Sequence, residues 1–167
     1  LDNNIRKHIR EIIDFPKKGI SYKDITPLLM DVDISNYITS ELVDRINHLK
    51  IDAIVGVESR GFLYGFLLAN RIGVPFVPIR KAGKLPSKTI KCKYDLEYGS
   101  DTLEMAADNI SNPNIIIVDD VYATGGTMSA AEKLCRKNGC RILGKLALID
   151  IGINKGHDVK CLIKYDG

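Results

Sequence analysis

The sequence predicts an α/β fold, a single domain built on a parallel sheet with helices on both faces. Three observations lead there. The chain has 167 residues, 45% of them hydrophobic, which suffices for one core and falls short of two. Four short runs, "IDAIVGV", "VPFVPI", "NIIIV" and "ILGKLALID", are almost wholly apolar, as strands covered on both sides must be. Between them stand runs with helical spacing, "GFLYGFLLANRIG" and "TMSAAEKLCRKNG", and strands that alternate with helices make parallel sheets.

Taken in order, the apolar positions from Ile5 to Ile13 predict a first helix. Ile34, Ile38, Leu42, Ile46 and Leu49 predict a second. Between them "DFPKKGISYKDITPLLMD" is punctuated by Pro16, Gly19 and Pro27, so it reads as an ordered loop with one short extended piece. Such a length exceeds what a mere connection needs. Residues 1–33 then form a small N-terminal hood. The strand–helix alternation starts at Ile51 and is broken once, by "RKAGKLPSKTIKCKYDLEYGSDTLEM", which predicts a mobile hairpin leaving the sheet over residues 80–105. Gly139 ends the helix before the last clear strand.

Composition excludes several classes. Twenty-four basic against 21 acidic residues leave a net charge of +3, too weak and too scattered for a nucleic-acid surface. No apolar run is long enough to span a bilayer, and the polar start "LDNNIRKHIREII" has no signal-peptide core, so no membrane partner and a cytoplasmic location are expected. Cys92, Cys135, Cys140 and Cys161 form no CxxC pair and no zinc spacing with His8, His48 or His157; they read as reduced structural thiols.

Ligands of such sheets sit beyond the carboxyl ends of strands. Two loops qualify, "GVESRG" and "DDVYATGGT". In the second, Ala123, Thr124, Gly125, Gly126 and Thr127 are small, and a helix follows at once. Backbone N–H groups and a helix N-terminus together make a cup for a phosphate. The spacing GxxxxGK[ST] is missing, so this is not a nucleoside-triphosphate loop. Asp119 and Asp120 would repel a second phosphate but accept hydrogen bonds from hydroxyls. A sugar phosphate satisfies both halves, with ribose hydroxyls on the carboxylates directly or through Mg2+. A signalling receiver domain also gathers carboxylates, but its further acid and lysine are not evident here, and it gives the cup no role.

"IIIVDDVYATGGT" resembles the phosphoribosyl-diphosphate motif of the type I phosphoribosyltransferases. "DFPKKGISYKDITPLL", "GVESRGFLYG", "VPFVPIRKAGKLP" and "YDLEYGSDTLEM" follow in that family's order and resemble its adenine-specific branch. The resemblance implies transfer of phosphoribose from 5-phosphoribosyl 1-diphosphate to adenine, giving AMP and pyrophosphate, with Mg2+ and a homodimer. It implies that Glu58, Ser59, Arg60, Arg80, Lys81 and Lys84 take the pyrophosphate, and that Arg60 also reaches the reacting base. Glu97 of "DLEYG" is implied as the acid–base group, with Tyr98 packing over the site. Ile20, Ser21, Tyr22, Lys23 and Ile151 are implied around adenine, the backbone of Ser21 reading the base edge. Lys23 stands where arginine is common, and Val121-Tyr122 where paired leucines are common. Ala123 lacks the aspartate usual in hypoxanthine and guanine enzymes; xanthine enzymes lack it too, which leaves another purine as the alternative substrate. A regulatory module without chemistry is the alternative of another class. It would have shed Glu97, Lys81 and Lys84.

Overall fold

The computed structural model describes residues 2–95, 99–107 and 111–166. Its first elements are a short helix α1 (Asp2–Arg6) and an antiparallel hairpin of β1 (Arg10–Ile13) and β2 (Ser21–Asp24). The single helix expected over residues 5–13 is therefore replaced by a helix and a strand. Ile12 and Ile13 pair across the ladder with Tyr22 and Ser21 and stay 39% and 66% exposed, so no helical face is buried there. The turn decides the outcome. Asp14 adopts φ 58° and its carboxylate accepts the Gly19 N–H at 2.6 Å, while the Phe15 N–H donates to the Ile20 carbonyl at 3.3 Å. With that turn closed, β-branched residues favour the pleated ladder over a helix.

The loop expected next contains β2, as the extended piece, and an unforeseen helix α2 (Thr26–Met30) with Pro27 in its first turn, where the missing N–H costs nothing. Helix α3 (Val32–Asp44) starts on Asp31, whose carboxylate accepts from the N–H groups of Asp33 and Ile34 at 3.0 Å each. It stops earlier than the apolar spacing predicts. From Arg45 onward i→i−3 hydrogen bonds tighten the chain (Arg45 to Leu42, Ile46 to Val43, Leu49 to Ile46), so Ile46 is buried from a turn and not from the helix.

The main sheet is made of β3 (Ala53–Val57), β4 (Phe76–Lys81), β5 (Thr89–Asp95), β6 (Ser100–Ala106), β7 (Asn114–Tyr122), β8 (Arg141–Asp150) and β9 (Lys160–Lys164). Their order is β5-β6-β4-β3-β7-β8-β9, parallel from β4 to β9 and antiparallel at β5 and β6. Helix α4 (Gly61–Ile72) joins β3 to β4, and α5 (Gly126–Lys137) joins β7 to β8. Two expectations are corrected. The hairpin after β4 does not leave the sheet: β6 pairs with β4 at Arg80↔Glu104 and Lys81↔Leu103 and so extends its edge. And β7 runs past its apolar part, so Asp119 and Asp120 belong to a strand, with Asp119 opposite Ala147 of β8. Backbone pairing to a long neighbour outweighs the poor strand propensity of aspartate.

The core has two sides. Ile54, Ile116, Val118, Leu146 and Leu148 face α3 and α4 through Ile38, Leu42, Tyr64 and Leu68. Ala53, Val55, Ile115, Ile117 and Ala147 face α5 through Met128, Ala131 and Leu134. Adjacent residues of β3 and β7 thus alternate between two buried faces, which is why β3 and residues 115–118 of β7 are apolar throughout. Since β4 and β7 flank β3 on opposite sides, the connections leaving β3 and β7 diverge, and a crevice opens between them. Among the described residues no helix is long and apolar enough to cross a membrane.

Candidate active site

At that crevice β3 ends in Glu58, Ser59 and Arg60, and β7 ends in Asp119, Asp120 and the cup. Glu58, Ser59, Arg60, Asp119 and Asp120, with Lys81, Tyr94, Asp101, Leu103 and, from the cup, Thr127, line a cleft of about 350 Å³. Glycine makes the approach possible. A Cβ on Gly61 would lie 2.9 Å from the Val118 carbonyl and 3.0 Å from Asp119 Oδ1, so only glycine lets the start of α4 lie against the acid strand.

Arg60 is the junction of the site. Its Nε lies 2.5 Å from Asp120 Oδ2, and the same guanidinium donates to the Tyr22 hydroxyl at 2.7 Å and the Lys23 carbonyl at 3.1 Å. Its plane also stacks near the Tyr22 ring, 4.8 Å from the centroid. Asp120 Oδ2 is buried and has no hydrogen-bond partner among the described residues; its contact with Arg60 is an ion pair without hydrogen-bond geometry. Asp119 lies beside it with part of its surface open to the cleft. Burial of its carboxyl, and then the charge of Asp120, push its pKa well above the usual carboxylate range. The Asp120 N–H, bonded to it at 2.8 Å, and Arg60 offset this only in part.

Ala123 to Thr127 line a small hollow at the end of β7. With Asp119, Val121, Tyr122 and Met128 these residues enclose about 60 Å³, roughly the volume of two waters. Gly125 adopts φ 90° as the N-cap of α5, and no side chain caps the helix. Among the described residues the first N–H groups of α5 thus have no side-chain cap, the setting in which helix N-termini hold anions.

The basic residues divide. Lys81 lines the cleft and lies 3.3 Å from Asp101 Oδ2. Arg80 and Lys84 instead meet Glu58: Arg80 Nε is 3.2 Å from its Oε2, Lys84 Nζ contacts its Oε1, and the Lys81 N–H donates to Oε2 at 2.9 Å. Burial alone would raise the Glu58 pKa, but the Lys84 ammonium, the Lys81 N–H and Arg80 more than offset it and hold it below the usual value. The Glu58 side chain therefore organises the basic segment and is not itself turned to a phosphate.

The residues expected around adenine are spread. Tyr22 touches Arg60 and, edge-on at 5.1 Å, the half-exposed Phe15. Lys23 is buried; its Nζ contacts Glu11 Oε1 at 2.6 Å and Ser21 Oγ at 3.1 Å, and lies 4.4 Å from the centroid of Tyr165. Ser21 Oγ also contacts Glu11, and Ile20 is 43% exposed. Ile151 follows β8 and donates its N–H to the Tyr122 carbonyl at 3.1 Å. None of the five lines the cleft, and Tyr22 and Lys23 join it through Arg60. Glu97 and Tyr98 lie outside the described residues. Sequence reasoning overlooked Tyr94 and Asp101, which come from the two strands of the hairpin and sit opposite each other in register. Only their position in the quoted "YDLEYGSDTLEM" hinted at them.

Comparison with known proteins agrees with this geometry. A family model described as phosphoribosyl transferase domain matches residues 21–166. An adenine phosphoribosyltransferase of Clostridium botulinum is 45% identical over 98% of the chain and 99% of its own length. The crystal structure of adenine phosphoribosyltransferase from Thermoanaerobacter pseudethanolicus is 43% identical with a TM-score of 0.94, covering 99% of this chain and all of that one. That from Saccharomyces cerevisiae, complexed with adenine and an imino-altritol bisphosphate, is 37% identical with a TM-score of 0.85, over 90% of this chain and 88% of that one. The chain belongs to the phosphoribosyltransferase family, within the group that holds the adenine phosphoribosyltransferases.

Proposed function

We propose that the chain is an adenine phosphoribosyltransferase of purine salvage, forming AMP and pyrophosphate from adenine and 5-phosphoribosyl 1-diphosphate. One observation carries the reading: Arg60 bonds at once to the acid of the sugar-phosphate motif and to the hydroxyl and backbone of the segment assigned to the base. The adenine named with the yeast relative supports the choice of base.

In this reading the 5′-phosphate fills the cup of Ala123 to Thr127 and the ribose hydroxyls meet Asp119 and Asp120. The diphosphate lies between the Glu58–Ser59–Arg60 segment and Lys81. Arg80 and Lys84 act through Glu58 or by turning to the ligand. The bond from the anomeric carbon to the diphosphate oxygen breaks as adenine N9 bonds to that carbon, and positive charge develops on the ribose. The chain's part is to hold the anionic leaving group, fix N9 in line and keep water out. The forming product must lose one ring proton. Glu97 is assigned to accept it at N7, with Tyr98 over the site and Ile20, Ser21, Tyr22, Lys23 and Ile151 around the base.

Mg2+ fits the donor set: Asp119 and Asp120 are adjacent carboxylates lining the cleft, Asp120 Oδ2 being taken by Arg60, and this ion is commonly held by one or two carboxylates and substrate oxygens. When bound it would neutralise diphosphate charge. A cytoplasmic setting accords with the free cysteines, and a homodimer with the apolar face described below.

The test supplies phosphoribosyl diphosphate and Mg2+ with adenine, hypoxanthine, guanine or xanthine in turn. AMP from adenine is expected, with Glu97→Gln lowering turnover about 10²- to 10⁴-fold at little cost in diphosphate binding. Nucleotide from xanthine alone would select the alternative purine. No nucleotide from any base would select the regulatory module.

A further inference from the structure

The cup owes its shape to more than its glycines. Tyr122, the last residue of β7, is buried, and its hydroxyl accepts a hydrogen bond from Asn154 Nδ2 at 2.7 Å. The same amide nitrogen donates to the Thr124 carbonyl at 3.2 Å. Both groups press on the helix cap: a Cβ on Gly125 would lie 2.6 Å from the Tyr122 hydroxyl and 3.0 Å from Asn154 Nδ2. Asn154 comes from the segment between β8 and β9, outside both loops that bind the ligand. That segment is itself fixed. His157 Nε2 lies 2.9 Å from Asp150 Oδ2, Asp150 Oδ1 accepts the Gly152 N–H at 2.9 Å, and the His157 ring lies 4.2 Å from that of Tyr122.

In a trans peptide the carbonyl and the next N–H point in opposite directions. A Thr124 carbonyl held toward Asn154 therefore turns the Gly125 N–H to the other face of the loop. The 60 Å³ cup is lined by Asp119 and Thr127 and not by Asn154, as a cup on that face would be. Asn154 lines a larger hollow of about 430 Å³ with Ser129, Glu132 and Lys145, and the turn from Thr124 to Gly126 is the wall between that hollow and the cup.

We infer that Asn154 and Tyr122 are positioning residues for phosphate recognition: together they lock the Thr124–Gly125 peptide so that the Gly125 N–H is presented to the 5′-phosphate before ligand arrives. The inference rests on the sugar-phosphate reading of the cup. Asn154 lines no part of the cup, Tyr122 lines it but has its hydroxyl bonded to Asn154, and neither belongs to the diphosphate or base regions. Preorganisation of this kind lowers the cost of ordering a loop on binding.

The test measures ribose 5-phosphate and pyrophosphate binding by calorimetry on the full chain, in the wild type, Asn154→Ala and Tyr122→Phe. Ribose 5-phosphate affinity is expected to fall about 3- to 10-fold in Asn154→Ala, as for one lost hydrogen bond, and less in Tyr122→Phe. Pyrophosphate affinity should stay at the wild-type value, and in turnover the loss should fall on KM for phosphoribosyl diphosphate and not on kcat. Tyr122→Phe keeps its ring against His157 and decides the matter should Asn154→Ala not fold. Wild-type affinity for ribose 5-phosphate in folded variants, or an equal loss for both ligands, overturns the inference. A wild type that binds ribose 5-phosphate but makes no nucleotide would instead overturn the assigned activity and leave the positioning role intact.

Discussion

Arg60 and the paired acids show how much a single residue's setting decides. Asp119 is an acid whose pKa is raised by burial first and by Asp120 second, so the folded, ligand-free chain binds its proton more tightly than the unfolded chain does. The sign follows. Its contribution to stability is fully present below the unfolded value, about 3.9, and is lost as pH rises through the raised folded value. At pH 7 an ionised Asp119 is thus a burden on the empty protein, and hydroxyls brought by a sugar phosphate would relieve it. Asp119→Asn is expected to raise the melting temperature at pH 7 in ligand-free, chelator-treated protein, by about 2–4 °C for each kcal/mol relieved. The same variant should bind ribose 5-phosphate more weakly. Thermal melts with and without ribose 5-phosphate check both, and a lower melting temperature for the empty variant would refute the assignment of strain to this carboxylate.

At the scale of elements, the segment between β4 and β5 is held by two buried acids. Glu58 gathers Arg80, Lys81 and Lys84 from one side. Glu104 of β6 accepts the N–H groups of Lys84 and Leu85 at 3.1 Å each, takes the Thr89 hydroxyl at 3.3 Å, and lies 3.7 Å from Lys91 Nζ. Burial would raise the Glu104 pKa, yet these N–H donors and Lys91 bring it below the usual value. A lowered acid contributes stability above its unfolded value, about 4.3, and loses it as pH falls through the folded one. Glu104→Gln is expected to cost about 1–3 kcal/mol at pH 7, because the amide presents donors to Thr89 and Lys91. Denaturant titrations from pH 7 to pH 3 should show the wild type losing stability on acidification more steeply than Glu104→Gln; parallel slopes would show that Glu104 is not a source of the acid sensitivity. The sequence made the parallel core, α4, α5 and the glycine-rich turn between β7 and α5 legible because apolar runs and glycines carry that information locally. It hid the N-terminal hairpin, since Ile5, Ile9, Ile12 and Ile13 fit a helical period as well as they fit β1, and only pairing with a distant β2 chooses. It also hid the reach of β7 through Asp119 and Asp120, which depends on β8.

Over the whole molecule, the described residues of α2, α3 and α4 expose a cluster of large apolar side chains. Met30 is 80% exposed, Val32 71% and Phe66 57%, and Leu63 and Leu67 are each 41% exposed. Helices α2, α3 and α4 bring Val32, Leu63, Phe66 and Leu67 together with Leu29 around an apolar groove of about 480 Å³. Exposed apolar patches of this kind mark places of association. The groove lies on the outer side of α4, the helix whose first residues place Arg60 and Gly61, so whatever covers it also braces the site. A second copy of the chain suits it, because a two-fold contact sets the same apolar face against itself and needs no complementary charge. Sedimentation is expected to give a dimer for the wild type and a monomer for Phe66→Glu, since a carboxylate at the centre of such a contact would be buried without a partner. Phe66 packs edge-on to Phe76 at 6.1 Å, and the ring of Phe76 fills the space above Gly56 at the end of β3. Loss of the contact should therefore lower AMP formation as well as assembly. A wild type that sediments as a monomer, or a Phe66→Glu variant that stays dimeric, would remove this face from the interface.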